Sequence, residues 1–207
     1  RGQNEGALVE KYEDGSIRAL AEYSNGLKEG KTIFYFPNGK IMEESVYRYG
    51  RLNGPLTTWS ENGVKTYQTS YLDGKEQGDT YAWYDNGTLS ASGTMKNGKP
   101  DGAWTYWYEN EQKRKEVVYN GEKEVIKNVW EQSGQQIVQN GNGLFADYYN
   151  NGGKAMEGMV KSGQPTGDWK EYYENGSLKE IGRYENDDYL IKDFWSNSGE
   201  HLISKGT

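Results

Sequence analysis

The sequence has no cysteine, so it can form no disulfide and no thiolate metal site. It has one histidine, His201, which leaves no Ser-His-Asp or Cys-His arrangement with a place in the body of the chain. A histidine-based metal site needs more ligands than that. Proline is scarce, at four residues. Aliphatic side chains are scarce too: Leu, Ile, Val and Phe together number 32, about 15% of the 207 residues. No apolar run approaches the roughly 20 residues of a membrane-spanning helix. Basic charge is outweighed, with a net charge of −7 and a pI near 5.0, which argues against nucleic acid and anionic lipid as main partners. The first residue is Arg1 where a nascent chain has Met, and we expect a processed or trimmed N-terminus.

What is abundant is glycine, 28 residues, and aromatic side chains, 14% of the chain with 18 Tyr and 7 Trp. Large rings each bury roughly 150–250 Å² and can replace a missing aliphatic core. These residues are not scattered. Glycines at 15, 39, 63 and 87 stand 24 residues apart, and the series resumes at Gly134, Gly152, Gly176 and Gly199. Glu111 takes the glycine's place in the fifth unit. A second glycine follows eleven residues later at Gly26, Gly50, Gly74, Gly98 and Gly163. A third opens the unit at Gly6, Gly30, Gly54, Gly78, Gly102, Gly143 and Gly167, while Leu190 takes its place in the last unit. A fixed period of this length is the signature of a repeat architecture.

Each unit predicts two short strands and two tight turns. Asn38-Gly39, Asn62-Gly63, Asn86-Gly87, Asn151-Gly152 and Asn175-Gly176 suit hairpin turns with positive φ at both central residues. The strand before this turn carries aromatics. Its sixth position is Tyr35, Trp59, Trp83, Trp107, Trp130, Tyr148, Tyr172 or Trp195, with Lys11 in the first unit. In the strand after it, a small residue recurs at Ala21, Ser45, Thr69, Gly93, Gly158 and Gly182, as required if large rings are to pack against neighbouring strands. No segment holds a helical period. The expected fold is all-β: an elongated antiparallel meander of about sixteen to eighteen strands, made of stacked 24-residue hairpins. One hairpin alone is marginal in water, so stacking supplies the stability. We expect one array of about nine units over residues 1–207, irregular at 117–143, with a kink or a change of sheet direction there.

The frame resembles the MORN repeat family, most closely its bacterial variant. Gly167, Trp169, Tyr172, Tyr173, Asn175, Gly176, Leu178 and Tyr184 carry the resemblance, and Gly102, Trp104, Trp107, Tyr108 and Asn110 repeat it. It covers nearly the whole chain. It implies hairpins stacked into a twisted antiparallel sheet. It also implies a bacterial protein, either an antitoxin-like partner in the cytoplasm or a protein of the cell envelope or secreted medium. The family brings no catalytic residue with it.

The residues themselves offer little chemistry. Gly141, Gly143 and Ala146 imitate a dinucleotide fingerprint but run into a hairpin turn instead of a helix. Asn86-Gly87-Thr88 and Asn175-Gly176-Ser177 fit the glycosylation pattern, and turn geometry explains both. Carboxylates such as Asp79, Asp101, Asp168 and Glu171 recur with the repeat, as solvated sheet edges do, and do not isolate the pair a glycosidase needs. The cluster Glu185, Asp187 and Asp188 lacks calcium-loop spacing. No catalytic, cofactor or metal residue is expected. The repeated rings are either the core of a thin sheet or a platform for a partner, and the candidate surface is Trp59, Trp83, Trp107, Tyr108 and Tyr172. The expected partner is another protein, a toxin or an envelope protein. A carbohydrate or cell-wall ligand is the alternative, and an enzyme the reading with least behind it.

Overall fold

The computed structural model describes residues 5–149, 151–185 and 188–204. Among them are nineteen strands and no helix. The chain divides into two compact units, Arg1–Glu111 with Tyr119–Glu122, and Gln112–Val118 with Lys123–Thr207.

In the first unit the strands pair antiparallel in sequence order, from Gly6–Lys11 against Ile17–Ser24 to Leu89–Lys96 against Lys99–Trp107. One expected strand is split: Lys75–Glu76 and Gly78–Trp83 are separated at Gln77, whose N–H turns to the Ser70 carbonyl at 2.8 Å. That interruption takes the strand count past the expected range.

The two turns of each unit differ in kind, which corrects the sequence expectation. At Asn38-Gly39 only the glycine has positive φ, at 80°. Gly39 N–H donates to the Phe36 carbonyl at 2.9 Å and Phe36 N–H to Lys40 at 2.8 Å, giving a type I turn closed by a left-handed glycine. The same bonds recur at Gly15, Gly63, Gly87, Gly152 and Gly176. The asparagine there is chosen for its side chain. Asn38 Oδ1 accepts Lys40 N–H at 3.0 Å, and Asn86, Asn151 and Asn175 do the same two residues on. The turn with two left-handed residues is the other one, as at Asn25-Gly26 (φ 51° and 78°) and Asn97-Gly98 (53° and 80°).

Burial picks out one frame position. Two residues after the opening glycine stand Thr32, Leu56, Thr80, Trp104, Phe145 and Trp169, all buried. In register opposite Thr32, Leu56, Thr80, Phe145 and Trp169 lie Ser45, Thr69, Gly93, Gly158 and Gly182. The expected pairing of small residues with rings is real. A Cβ on Gly93 would lie 2.1 Å from Trp104, and one on Gly158 would lie 2.2 Å from Trp169. Thr69 and Thr80, both buried, share a hydrogen bond of 2.7 Å.

In the second unit the strands again pair antiparallel in sequence order, from Lys123–Trp130 to His201–Ser204. Its irregularity is a short strand, Gln136–Gln139, that pairs through two residues on each side. Its buried side chains are largely aliphatic: Val117, Ile126, Val129, Val138 and Val160. Two turn glycines are drawn inward as well. Gly163 N–H donates to the Gly141 carbonyl at 2.8 Å, and Ile126 N–H donates to Gly163 at 2.9 Å. A Cβ on Gly141 would sit 2.6 Å from the Gly163 nitrogen, so the contact requires glycine. The stretch that imitates a dinucleotide motif is this hairpin.

Candidate functional site

The expected surface residues fall into two groups. Trp59, Trp83 and Trp107 in the first unit, and Tyr172 in the second, end their strands at the same frame position and are all half-buried. Tyr35, Trp130, Tyr148 and Trp195 share that place and that partial exposure. The buried core sits three residues earlier in the frame, so the sixth-position rings are neither interior nor fully free. Tyr108 is different. It lies past the strand end at Trp107, in the turn, and does not share a strand face with Trp104 and Tyr106.

Most sixth-position residues have a cross-strand partner two places after the turn glycine. Trp59 pairs with Lys65, Trp83 with Leu89, Tyr148 with Lys154, Tyr172 with Leu178 and Trp195 with His201. Lysines there cover neighbouring rings. The Lys65 ammonium lies 5.2 Å from the Trp83 ring centre, and that of Lys113 lies 5.8 Å from Trp130. Such contacts hold about 0.5–1 kcal/mol at exposed sites. His201 stacks on Trp195 at 4.8 Å and meets Asp193 at 3.0 Å, so the single histidine is a terminal packing residue.

Carboxylates complete the row in the second unit. Tyr172 donates its hydroxyl to Glu157 at 2.6 Å, and Lys154 meets the same carboxylate at 2.6 Å. Lys154, then the Tyr172 hydroxyl, hold the Glu157 carboxyl below its ordinary range. Burial, with the Glu157 hydrogen bond second, pushes the Tyr172 phenol up to about 12. Tyr148 donates to Glu131 at 2.8 Å. A cleft of about 400 Å³ opens beside these residues, with Ile137, Leu144 and Ala146 on its apolar side. Its acids are already bonded to tyrosine or lysine, and none is poised as a general base.

The seventh position forms a second row. Tyr12 donates its hydroxyl to the Tyr35 carbonyl at 2.6 Å, and Tyr84 to Trp107 at 2.7 Å. Tyr149 donates to Tyr172 at 2.6 Å, and Tyr173 to Trp195 at 2.8 Å. Each tyrosine thus pins the backbone that carries the next ring. The turn asparagines add a third link: Asn38, Asn86 and Asn151 donate Nδ2 to the carbonyls of Glu61, Glu109 and Glu174 at 3.0–3.2 Å. Asn86 and Asn175, the two glycosylation matches, spend their amides in such bonds. The sequence signal was present, since tyrosine recurs at 12, 84, 108, 149 and 173, but Phe36 and Ser60 blurred it.

Among the described residues no group of three His, Asp or Glu side chains converges as metal ligands. No helix there is long and apolar enough to cross a membrane. Asp187 of the acidic cluster lies outside the described residues.

The family model described as MORN repeat variant matches residues 28–49, 100–120 and 165–186, three repeats of the frame. No curated protein matches the sequence. A solved structure titled "Crystal Structure of TcdB2-TccC3-TEV" is similar at 12% identity over 98% of this chain, with a TM-score of 0.21, and the chain spans 11% of that protein's length. A likeness of that size bears on neither fold nor function.

Proposed function

We propose that this chain, a protein of MORN repeats, is a non-enzymatic scaffold that binds another protein along its row of sixth-position rings. One observation carries the reading. The same half-exposed ring recurs unit after unit, held by tyrosine and asparagine bonds that serve no reaction. A repeated surface spreads affinity over several contacts, whereas catalysis needs one converging set. Trp and Tyr are the residues that dominate protein interfaces when their surroundings are fixed in advance. The acidic balance favours a partner with a basic face. As a neutralising partner the protein would hold a toxin in a bacterial cytoplasm. As a scaffold it would serve an envelope or secreted assembly.

The test is capture from the source organism's lysate and envelope fractions, using the wild-type chain and a Trp59→Ala/Trp83→Ala/Trp107→Ala variant checked for folding by circular dichroism. The expected result is a protein enriched by the wild type and lost with the variant. Equal recovery by both would remove the ring row from the function. Enrichment of wall polysaccharide without protein would replace the reading by carbohydrate binding.

A further inference from the structure

We infer that Asn62 is a site of spontaneous deamidation, selected by structure from five Asn-Gly turns of identical backbone form. Those turns hold Asn38, Asn62, Asn86, Asn151 and Asn175, and in every one the glycine N–H donates to the carbonyl three residues back. Four of the five asparagines are fastened at both ends of the amide. Their Oδ1 accepts the N–H two residues on, at 2.8–3.0 Å. Their Nδ2 reaches the next unit, at Glu61, Glu109, Glu174 and Asn197.

Asn62 is exposed, and among the described residues its side chain has neither bond. The cause is Ser60. Where other units have Tyr or Phe, the Ser60 hydroxyl takes the Val64 N–H at 3.3 Å, the donor that Asn62 Oδ1 would otherwise accept. Asn62 accepts a hydrogen bond through its backbone carbonyl, from the Lys40 ammonium at 2.9 Å.

The reaction needs an amide free to rotate and a following residue with no side chain in the way. The Gly63 nitrogen attacks Asn62 Cγ and forms a C–N bond. The Cγ–Nδ2 bond breaks, and the nitrogen leaves as ammonia, carrying the proton shed by Gly63 N–H. Water then opens the cyclic imide at either carbonyl, leaving aspartate or isoaspartate at position 62. All five turns must first release the glycine N–H from its carbonyl, 2.8 Å away at Gly63. Only the other four must also release two side-chain bonds, which slows them roughly tenfold at the modest worth of exposed hydrogen bonds. The product places a negative charge beside Lys40, so conversion alters the charge of this turn.

The experiment ages the purified full chain in mildly alkaline buffer and follows each asparagine by peptide mapping with mass spectrometry. Asn62 is expected to convert about ten times faster than Asn38, Asn86, Asn151 and Asn175, and this lead should disappear in urea. In Ser60→Ala the Val64 N–H returns to Asn62 Oδ1, and conversion at Asn62 should slow severalfold. Equal rates at all five sites in the native chain would overturn the inference, as would an unchanged Asn62 rate in a folded Ser60→Ala variant.

Discussion

Gly93→Ala tests the packing rule on which the fold rests. Gly93 has ordinary backbone angles and is glycine only because the Trp104 ring occupies the space of its missing side chain. An added Cβ would meet ring atoms at 2.1, 2.3 and 2.4 Å, where ordinary contact begins at 3.4 Å. The indole must therefore retreat by about 1.3 Å, the difference between 3.4 and 2.1 Å, from a site where it is 7% exposed. Overpacking of this size costs about 1–3 kcal/mol, and complete loss of a buried Trp about 3–5 kcal/mol. The expected destabilisation lies between, near 3 kcal/mol. Gly98→Ala is the matched control. Its Cβ would meet nothing within 4 Å, and only its left-handed φ of 80° opposes the substitution, at about 1–2 kcal/mol. Urea denaturation followed by Trp fluorescence measures both. Trp104→Val should relieve Gly93→Ala and leave Gly98→Ala unchanged. A Gly93→Ala variant no less stable than Gly98→Ala, or one that Trp104→Val does not relieve, would refute the pairing of small residue and ring.

Glu111→Gly should stabilise the protein by about 1 kcal/mol, since Glu111 holds a left-handed φ of 68° that costs a side-chain-bearing residue about 1–2 kcal/mol and glycine far less; thermal denaturation measures it. Tyr149→Phe should cost about 0.5–1.5 kcal/mol, because the ring remains and only the 2.6 Å bond to the Tyr172 carbonyl is lost; urea denaturation reads this, and no change would show that the tyrosine row does not tie units together. Glu157 has its carboxyl held below the ordinary 4.5 by Lys154 and Tyr172. A depressed carboxylate stabilises the fold above its unfolded value and stops doing so as pH falls through its folded value. Stability should therefore decline below about pH 4.5 less steeply in Glu157→Gln than in the wild type, and parallel acid limbs would contradict it.

The frame was legible because glycine reports backbone form and space directly. Gly39 marks a left-handed turn residue and Gly93 a ring's footprint, and each recurs with the period. Turn type was misread because an Asn-Gly pair fits two geometries. The pair does not reveal whether asparagine supplies its backbone, as Asn97 does at φ 53°, or its side chain, as Asn38 does toward Lys40 and Glu61. That choice follows from how closely the strands pair across the turn: Ser24 pairs with Leu27 across Asn25-Gly26, but Tyr35 with Ile41 across Asn38-Gly39.

The ring row illustrates the same limit for function. The sequence left the sixth-position rings as either core or platform; Trp107 is half-exposed, and the buried ring of its strand is Trp104, three residues earlier. What separates them is the neighbouring strand: Gly93 admits the Trp104 ring, while Trp107 stands at the end of its strand beside the turn. A hairpin read alone has no such neighbour. The surface of this array is therefore defined only between units, and changing a small residue such as Gly93 should expose the wrong ring as well as weaken the fold.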